Sequence, residues 1–299
     1  MNEELLALAE RVAREAGGLL ASFTGRVSVA DTKSSPTDVV TEMDRKAEEL
    51  IRSRILAERP GDAILGEEGG QTGDAGGSGV RWVIDPLDGT VNYLYGLRDW
   101  AVSIAAEASG EIVAGAVFAP RAGELFTAVR GGGAWLTAAG NGDADGAGET
   151  VWDTVPTGDT VPAGDTVPAG DAKRELRCGP GVALDRALVA TGFGYRAERR
   201  KVQGEVVAAL LPRVRDIRRG GSASVDLCSV AAGRVDAYYE RGLNYWDYAA
   251  GALIAAEAGA AVGGLGGRPP GTSMTVAAGP SLFGALSSAL AALDPERDG

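Results

Sequence analysis

Residues 82–90 read Trp82-Val83-Ile84-Asp85-Pro86-Leu87-Asp88-Gly89-Thr90. An apolar run ends in two aspartates three apart, with Pro86 between them and a Gly-Thr step behind. The run predicts a short buried strand, and Pro86, lacking an N–H, is expected to stop its hydrogen-bond ladder. Gly89-Thr90-Val91-Asn92-Tyr93 reads as a helix start. Asp85 and Asp88 are therefore expected at a strand's carboxyl end, on a sharp bend, beside a helix N-terminus. Two hard anionic oxygens in that setting suit Mg²⁺, and the free N–H groups of Gly89 and Thr90 suit a phosphate. Taken alone, Asp-x-x-Asp-Gly-Thr also fits a plain turn with an Asp cap.

Downstream, the apolar runs at 100–107, 111–119 and 124–129, punctuated by Ser109-Gly110 and Ala122-Gly123, predict an antiparallel meander. Upstream, Ala63-Ile64-Leu65-Gly66-Glu67-Glu68 reads as a short strand entering a Gly-rich loop, 69–79. A helix is expected from Thr41, where Thr41-Glu42-Met43-Asp44 resembles a capping box with Asp in place of Glu. Met43, Ala47, Leu50 and Ile55 form its buried stripe, and Arg59-Pro60-Gly61 ends it. Val27–Val40 reads as loop. Before it, Leu5, Leu8, Val12, Ala16, Leu19 and Phe23 recur at spacings of three and four, which predicts an amphipathic helix over 3–23. Glu3 and Glu4 stand in its first turn, where the dipole favours them.

The second half alternates. Strands are expected at Ala187–Thr191, Val214–Arg218, Val235–Glu240 and Met274–Ala277, and helices at Val202–Leu211, Ala223–Ala232, Trp246–Ala258 and Ser281–Leu293. Between the halves, a six-residue unit recurs from Asp153, Asp159 and Asp165, each followed by Thr-Val-Pro. Pro, Gly and Asp at that spacing build neither a helix nor a central strand, so 153–171 is expected to be an acidic surface loop. The expected organisation is an N-terminal α+β half at 1–139 carrying the motifs, an inserted low-complexity loop at 140–172 and a C-terminal α/β half at 173–299, the two halves forming one compact catalytic unit.

Composition narrows the chemistry. The chain is 45% apolar and 23% charged, with no apolar run long enough to span a bilayer. Its N-terminus lacks the basic-then-apolar pattern of a signal peptide. Two cysteines, Cys178 and Cys228, lie in no metal-type spacing and fit a reducing cytoplasm. A net charge of −12 argues against nucleic acid as a partner, and would repel a phosphate substrate unless cations intervened. The chain has no histidine, which removes Ser-His-Asp and Cys-His arrangements, a phosphohistidine route and most zinc sites. Any hydrolysis must run on carboxylates, hydroxyls and a hard metal.

Five stretches then read together: Lys33-Ser-Ser-Pro-Thr-Asp-Val-Val-Thr-Glu-Met-Asp44, Gly66-Glu67-Glu68, residues 82–90, Gly221-Ser-Ala-Ser-Val-Asp-Leu-Cys228, and Glu240-Arg-Gly-Leu-Asn-Tyr-Trp246-Asp247. In order and spacing they resemble the inositol monophosphatase family of Mg²⁺-dependent, lithium-sensitive sugar phosphatases, over nearly the whole chain except about 140–172. The resemblance implies a layered αβαβα sandwich of the inositol monophosphatase and fructose-1,6-bisphosphatase type, and a homodimer. It implies that Glu67, Asp85 and the Leu87 carbonyl hold one Mg²⁺ and that Asp85, Asp88 and Asp247 hold a second. A third, water-rich Mg²⁺ would lie near Glu67 and Asp44, with Lys33 and Asp38 around its water shell. Glu67 and Thr90, with Asp44, would activate the attacking water. Asp88, Gly89, Thr90, Ala223 and Glu240 would contact substrate.

Phosphate monoester hydrolysis needs a barrier reduction upward of roughly 20 kcal/mol, and two cations flanking the phosphorus can supply much of it. Each residue also has a plainer reading. Asp44 would cap its helix, Glu68 would be a solvated neighbour, Glu240 a strand-end acid, Trp246 a packing residue aiming Asp247, and Asp226 and Asp236 structural acids. Asn244-Tyr245 before Trp246, where the family favours Pro or a small residue, and Arg98-Asp99 in place of a proline depart from the pattern and bear on substrate choice. The expected activity is hydrolysis of myo-inositol 1-phosphate in the cytoplasm, without nucleic-acid or membrane partners. The alternatives are the same chemistry on histidinol phosphate, fructose 1,6-bisphosphate or a 3′-phosphonucleotide. A non-catalytic binding protein on the same fold would be expected to have lost a ligand or the water-activating pair, and Glu67, Asp85, Asp88, Thr90 and Asp247 are all present.

Overall fold

The computed structural model describes residues 1–23, 29–32, 39–73, 77–138 and 173–297. Lys33, Asp38 and the repeat at 153–171 lie outside the described residues. Helix α1 (Asn2–Ser22) is followed by a short antiparallel pair, β1 (Val29–Thr32) and β2 (Val39–Thr41), and by α2 (Glu42–Glu58). The expectation of loop over Val27–Val40 is corrected by that pair, whose strands are too short to show a periodic pattern. Strands β3 (Ala63–Gly66), β4 (Gly70–Thr72) and β5 (Val80–Asp88) lead to the five-residue α3 (Thr90–Leu94). The meander follows as β6 (Ala101–Ala108), β7 (Glu111–Ala119), β8 (Glu124–Val129) and β9 (Gly133–Ala138), with β10 (Lys173–Glu175) returning beside β9. The C-terminal elements are β11 (Leu188–Thr191), α4 (Ala197–Leu210), β12 (Asp216–Arg218), α5 (Ala223–Ala231), β13 (Ala237–Glu240), α6 (Tyr245–Glu257), β14 (Ala261–Gly263), β15 (Thr275–Ala278) and α7 (Pro280–Ala291).

Among the described residues one sheet runs β10-β9-β8-β7-β6-β5-β3-β4 and a second runs β12-β11-β13-β15-β14. Burial assigns the layers. Trp82, Ile84, Ile104, Ala114 and Phe118 on one face of the larger sheet pack with Leu5, Val12 and Leu20 of α1 and Met43, Ala47, Ile51 and Ile55 of α2. On its other face, Val83, Ala105, Val117 and Phe126 meet Leu227 of α5 and Ala250 and Ile254 of α6. Ala190, Tyr238 and Ala277 of the second sheet cover the same two helices from beyond. The outer face of the second sheet is closed by Val206 and Leu210 of α4 and Leu282, Leu286 and Leu290 of α7. The result is the expected αβαβα sandwich, with α5 and α6 between two sheets. That position explains why these two helices are apolar nearly all round.

The α1 stripe ends earlier than its periodicity predicts, since Leu19 is half-buried and Phe23, beyond the helix, is exposed. On α2 the buried position is Ile51, while Leu50 is half-buried.

Candidate active site

Pro86 does not end β5. The strand continues to Asp88, and its pairing with β6 slips from Asp85↔Ser103 to Asp88↔Ala101, so that two residues, Pro86 and Leu87, oppose Val102 alone. This is a β-bulge, the one place inside a central strand where a residue without an N–H is tolerated. In a regular strand, residues three apart face opposite ways. The bulge cancels the odd spacing. Val83 and Asp85 face α5 and α6, Leu87 returns to the α1–α2 side beside Trp82 and Ile84, and Asp88 turns again toward α5. Both aspartates thus point into the space between the larger sheet and the middle helices. Leu87 N–H donates back to Asp85 Oδ1 at 3.0 Å.

Gly89 then takes a φ of +93°, and a Cβ there would stand 2.9 Å from the Asp99 carbonyl oxygen. Only glycine turns this corner without strain, and it starts α3 directly at Thr90. The Thr90 hydroxyl oxygen lies 3.1 Å from Asp44 Oδ1 and 3.1 Å from the Leu87 carbonyl. Asp44 also completes the capping box, since Oδ2 accepts the Thr41 N–H at 2.9 Å and the Thr41 hydroxyl. The helix-cap reading of Asp44 therefore holds, and its second carboxylate oxygen is turned to Thr90.

Three more elements deliver acids to the same place. Glu67 leaves the end of β3, parallel to β5 with Gly66 paired to Ile84. Asp247 stands in the first turn of α6, where Oδ2 accepts the Asn244 N–H at 2.7 Å. Glu240 ends β13, and its Oε2 accepts from the Tyr238 hydroxyl at 2.7 Å. Asp88 reaches the N-terminus of α5 and accepts from Ser222 Oγ at 2.6 Å, Ser224 N at 2.7 Å and Ser224 Oγ at 2.6 Å. Ala223, the first residue of α5, adds its N–H to the same carboxylate.

The electrostatics record this crowding. Burial, then the charges of Glu67, Asp88 and Asp247, push Asp85 well above the ordinary carboxylate range, and its carboxyl is within hydrogen-bond reach of Glu67. Burial, then Glu67 and Asp88, do the same to Asp247. Asp88 is raised by burial, with the two serines opposing. Burial takes Glu240 up to about 7, the Tyr238 hydroxyl opposing and the Asp88 charge adding. Asp44 is raised by burial, against its bonds from Thr41 and Thr90. Such mutually repelling, partly desolvated hard oxygens are a donor set for a hard divalent cation. No three His, Cys, Asp or Glu side chains among the described residues are already gathered tightly enough to enclose one. Asp88 and Asp247 are instead turned onto their helix-start donors.

Sequence reasoning missed several members. Ser222 and Ser224 hold Asp88 from more than 130 residues away. Asp226, read as structural, is raised by burial and then by the charges of Glu240 and Asp88, so it faces the same group of acids, and its Oδ2 is buried without a partner. Asp236 matches its structural reading, accepting the Leu188 N–H at 2.8 Å. Tyr245 turns toward the larger sheet. Its hydroxyl donates to Glu107 Oε2 at 2.7 Å, and Glu107 is also held by Arg81. Trp246 packs against the middle core, as its packing reading has it.

A model of the inositol monophosphatase family matches residues 1–293. The inositol-1-monophosphatase of Mycobacterium leprae is 42% identical, over 96% of this chain and 94% of that protein. A Vibrio cholerae protein named Nus factor SuhB is 36% identical over 86% of this chain and 84% of its own length. The solved structure of Mycobacterium tuberculosis SuhB matches with a TM-score of 0.73 at 41% identity, covering 99% of this chain and 98% of that one.

Proposed function

Because the chain belongs to the inositol monophosphatase family and is a phosphatase, we propose that it carries out Mg²⁺-dependent hydrolysis of myo-inositol 1-phosphate to inositol and phosphate. The observation that supports this most is the meeting of Asp85, Asp88, Glu67 and Asp247 beside the Asp44–Thr90 pair. Glu67, Asp85, Asp88, Asp247 and the Leu87 carbonyl would hold two or three Mg²⁺, which when bound supply Lewis-acid polarisation and charge neutralisation at the phosphate.

The protein's own groups do the rest. Thr90 and Glu67 orient the attacking water and take its proton, and Asp44 fixes the Thr90 hydroxyl. The N–H groups of Gly89 and Thr90 take phosphate oxygens. Glu240 accepts from ring hydroxyls of the inositol, and Asp88 with Ala223 borders the same pocket. The water oxygen joins phosphorus, the ester P–O bond breaks, and the alcohol oxygen leaves and takes a proton from solvent, to which the proton held by Glu67 is returned.

Two free cysteines, one half-buried and one buried, accord with a cytoplasmic setting. No helix among the described residues is long and apolar enough to cross a membrane. A homodimer completes the reading.

Phosphate release from myo-inositol 1-phosphate, histidinol phosphate, fructose 1,6-bisphosphate and a 3′-phosphonucleotide, each with Mg²⁺ and with chelator, tests it. The expected result is Mg²⁺-dependent release with the highest kcat/KM on the inositol ester. A higher kcat/KM on another ester would move the substrate assignment. Absence of release from all four would remove the reading.

A further inference from the structure

Helix α2 buries two carboxylates one turn apart on one face, Asp44 at 1% exposure and Glu48 at 3%. Asp44 holds the Thr90 hydroxyl. Glu48 holds the other loop of the site, its Oε2 accepting the Glu68 N–H at 2.7 Å and its Oε1 the Gly69 N–H at 2.8 Å. Arg52, a further turn along, donates Nε to Glu48 Oε1 at 2.7 Å. Its two terminal nitrogens go on to the Gly70 carbonyl at 2.6 Å and Thr72 Oγ1 at 2.7 Å. One ion pair thus grips residues 68, 69, 70 and 72, the segment that begins at Glu67. The backbone closes directly on it, since a Cβ on Gly66 would stand 2.6 Å from Glu48 Oε1. Replacing such a buried ion pair by apolar side chains of similar volume is often neutral or stabilising, so stability alone does not account for it.

We propose that Glu48 is a positioning residue for the hydrolysis. The helix is a spacer, in which Asp44 fixes Thr90 and Glu48, about 6 Å further along the axis, fixes the peptide that carries Glu67. The separation of the two groups that orient the attacking water is set by one helical turn. Arg52 completes the device by pinning the Glu48 carboxylate and the far side of the same loop. This rests on the phosphatase reading above.

The test uses the full chain and two readouts: steady-state phosphate release from myo-inositol 1-phosphate across a Mg²⁺ titration, and the rise in melting temperature that Mg²⁺ alone produces. Glu48→Gln keeps the size but loses the charge and one acceptor. It should lower kcat by ~10–100-fold, the cost of an ångström-scale misplacement. It should also raise the Mg²⁺ half-saturation several-fold and shrink the Mg²⁺-induced melting shift, with KM little changed. Ile51→Val, a buried apolar change on the same helix, should lower the melting temperature without moving kcat or the Mg²⁺ dependence. A folded Glu48→Gln with wild-type kcat and Mg²⁺ half-saturation would overturn the proposal.

If Glu48→Gln does not fold, Arg52→Lys takes its place, because one ammonium cannot reach all three acceptors. It should show the same two changes at smaller size, and unchanged values there would overturn the proposal equally. If the wild-type chain releases no phosphate, the phosphatase reading fails by itself. The Mg²⁺ melting shift of the variant against wild type still decides whether Glu48 places Glu67.

Discussion

The Thr90 hydroxyl oxygen stands 3.1 Å from Asp44 Oδ1, joining the start of α3 to the start of α2 across 46 residues. A hydroxyl held against a buried carboxylate is set to pass a proton toward it. If it orients water, Thr90→Val and Asp44→Asn should each lower kcat by ~100-fold or more, the range of general acid–base contributions. The double variant should lose little beyond either single one, because the pair acts as a unit. Additive losses in a steady-state double-mutant cycle would mean that the two residues act independently.

Asp247→Asn should fold normally, because an amide oxygen can still accept the Asn244 N–H that the carboxylate now accepts at 2.7 Å. Removing one anionic oxygen should raise the Mg²⁺ half-saturation and lower turnover at limiting Mg²⁺. Unchanged activity at limiting Mg²⁺ would take Asp247 out of the site.

Stability should fall with rising pH in the metal-free protein. Asp85, Asp88, Asp247 and Glu240 are all raised above their ordinary values by burial first, Glu240 from 4.5 to about 7. Between the unfolded and folded values the native state binds more protons than the unfolded chain, so each pH unit upward subtracts stability. For Glu240 alone the window is pH 4.5 to about 7, and the full effect is roughly 3 kcal/mol. With no histidine, no other side-chain class ordinarily titrates there. Melting temperatures in chelator should therefore be lower at pH 8 than at pH 6, and Mg²⁺ should flatten or reverse the slope. A rising or flat curve without metal would contradict the assigned shifts.

Glu240→Ala should separate substrates. A hydrogen bond to a carboxylate contributes roughly 1.5–3 kcal/mol, or ~10–150-fold. Catalytic efficiency on myo-inositol 1-phosphate at pH 8, where Glu240 is ionised, should drop by about that factor. Efficiency on p-nitrophenyl phosphate, which has no ring hydroxyls, should hardly change. Equal losses on both would mean that Glu240 supports the fold or the acids around it.

The readable parts of this molecule were those in which a local pattern meets a local cause. The α1 and α2 stripes, the Thr41 cap, the 101–129 meander and the alternation after 187 all announce themselves within a dozen residues. So do the acids of the central motif, because turn chemistry and charge mark them, whereas Asp247 is singled out only by the resemblance of its stretch to the family. What escaped depends on partners far along the chain. The bulge at Pro86 is defined by Val102 on the neighbouring strand, and no feature of residues 82–90 distinguishes it from a strand end. The β1–β2 pair has too few residues for periodicity. Ser222 and Ser224 stand in a motif stretch without a role of their own, and Glu48 looks like an ordinary helix residue, until the fold brings Asp88 and the 68–70 loop against them. Tyr245, a departure from the family pattern in sequence, donates its hydroxyl to Glu107, which is 138 residues away.

The spare residue in β5 also bears on how this chain can change in length. Two aspartates separated by a single residue would already face the same way and would meet Ser103 and Ala101 in the same register. The longer spacing is therefore not needed to align them. What it adds is one residue outside the ladder, Leu87, whose N–H donates to Asp85 and whose carbonyl meets the Thr90 hydroxyl. That carbonyl is an oxygen donor without charge, in a place where a further carboxylate would be repelled. Deleting Leu87 would therefore take away this neutral oxygen together with a buried core side chain, and would leave Pro86 in the ladder opposite Val102. If that carbonyl meets a cation as proposed, the spare residue adds a ligand without adding negative charge.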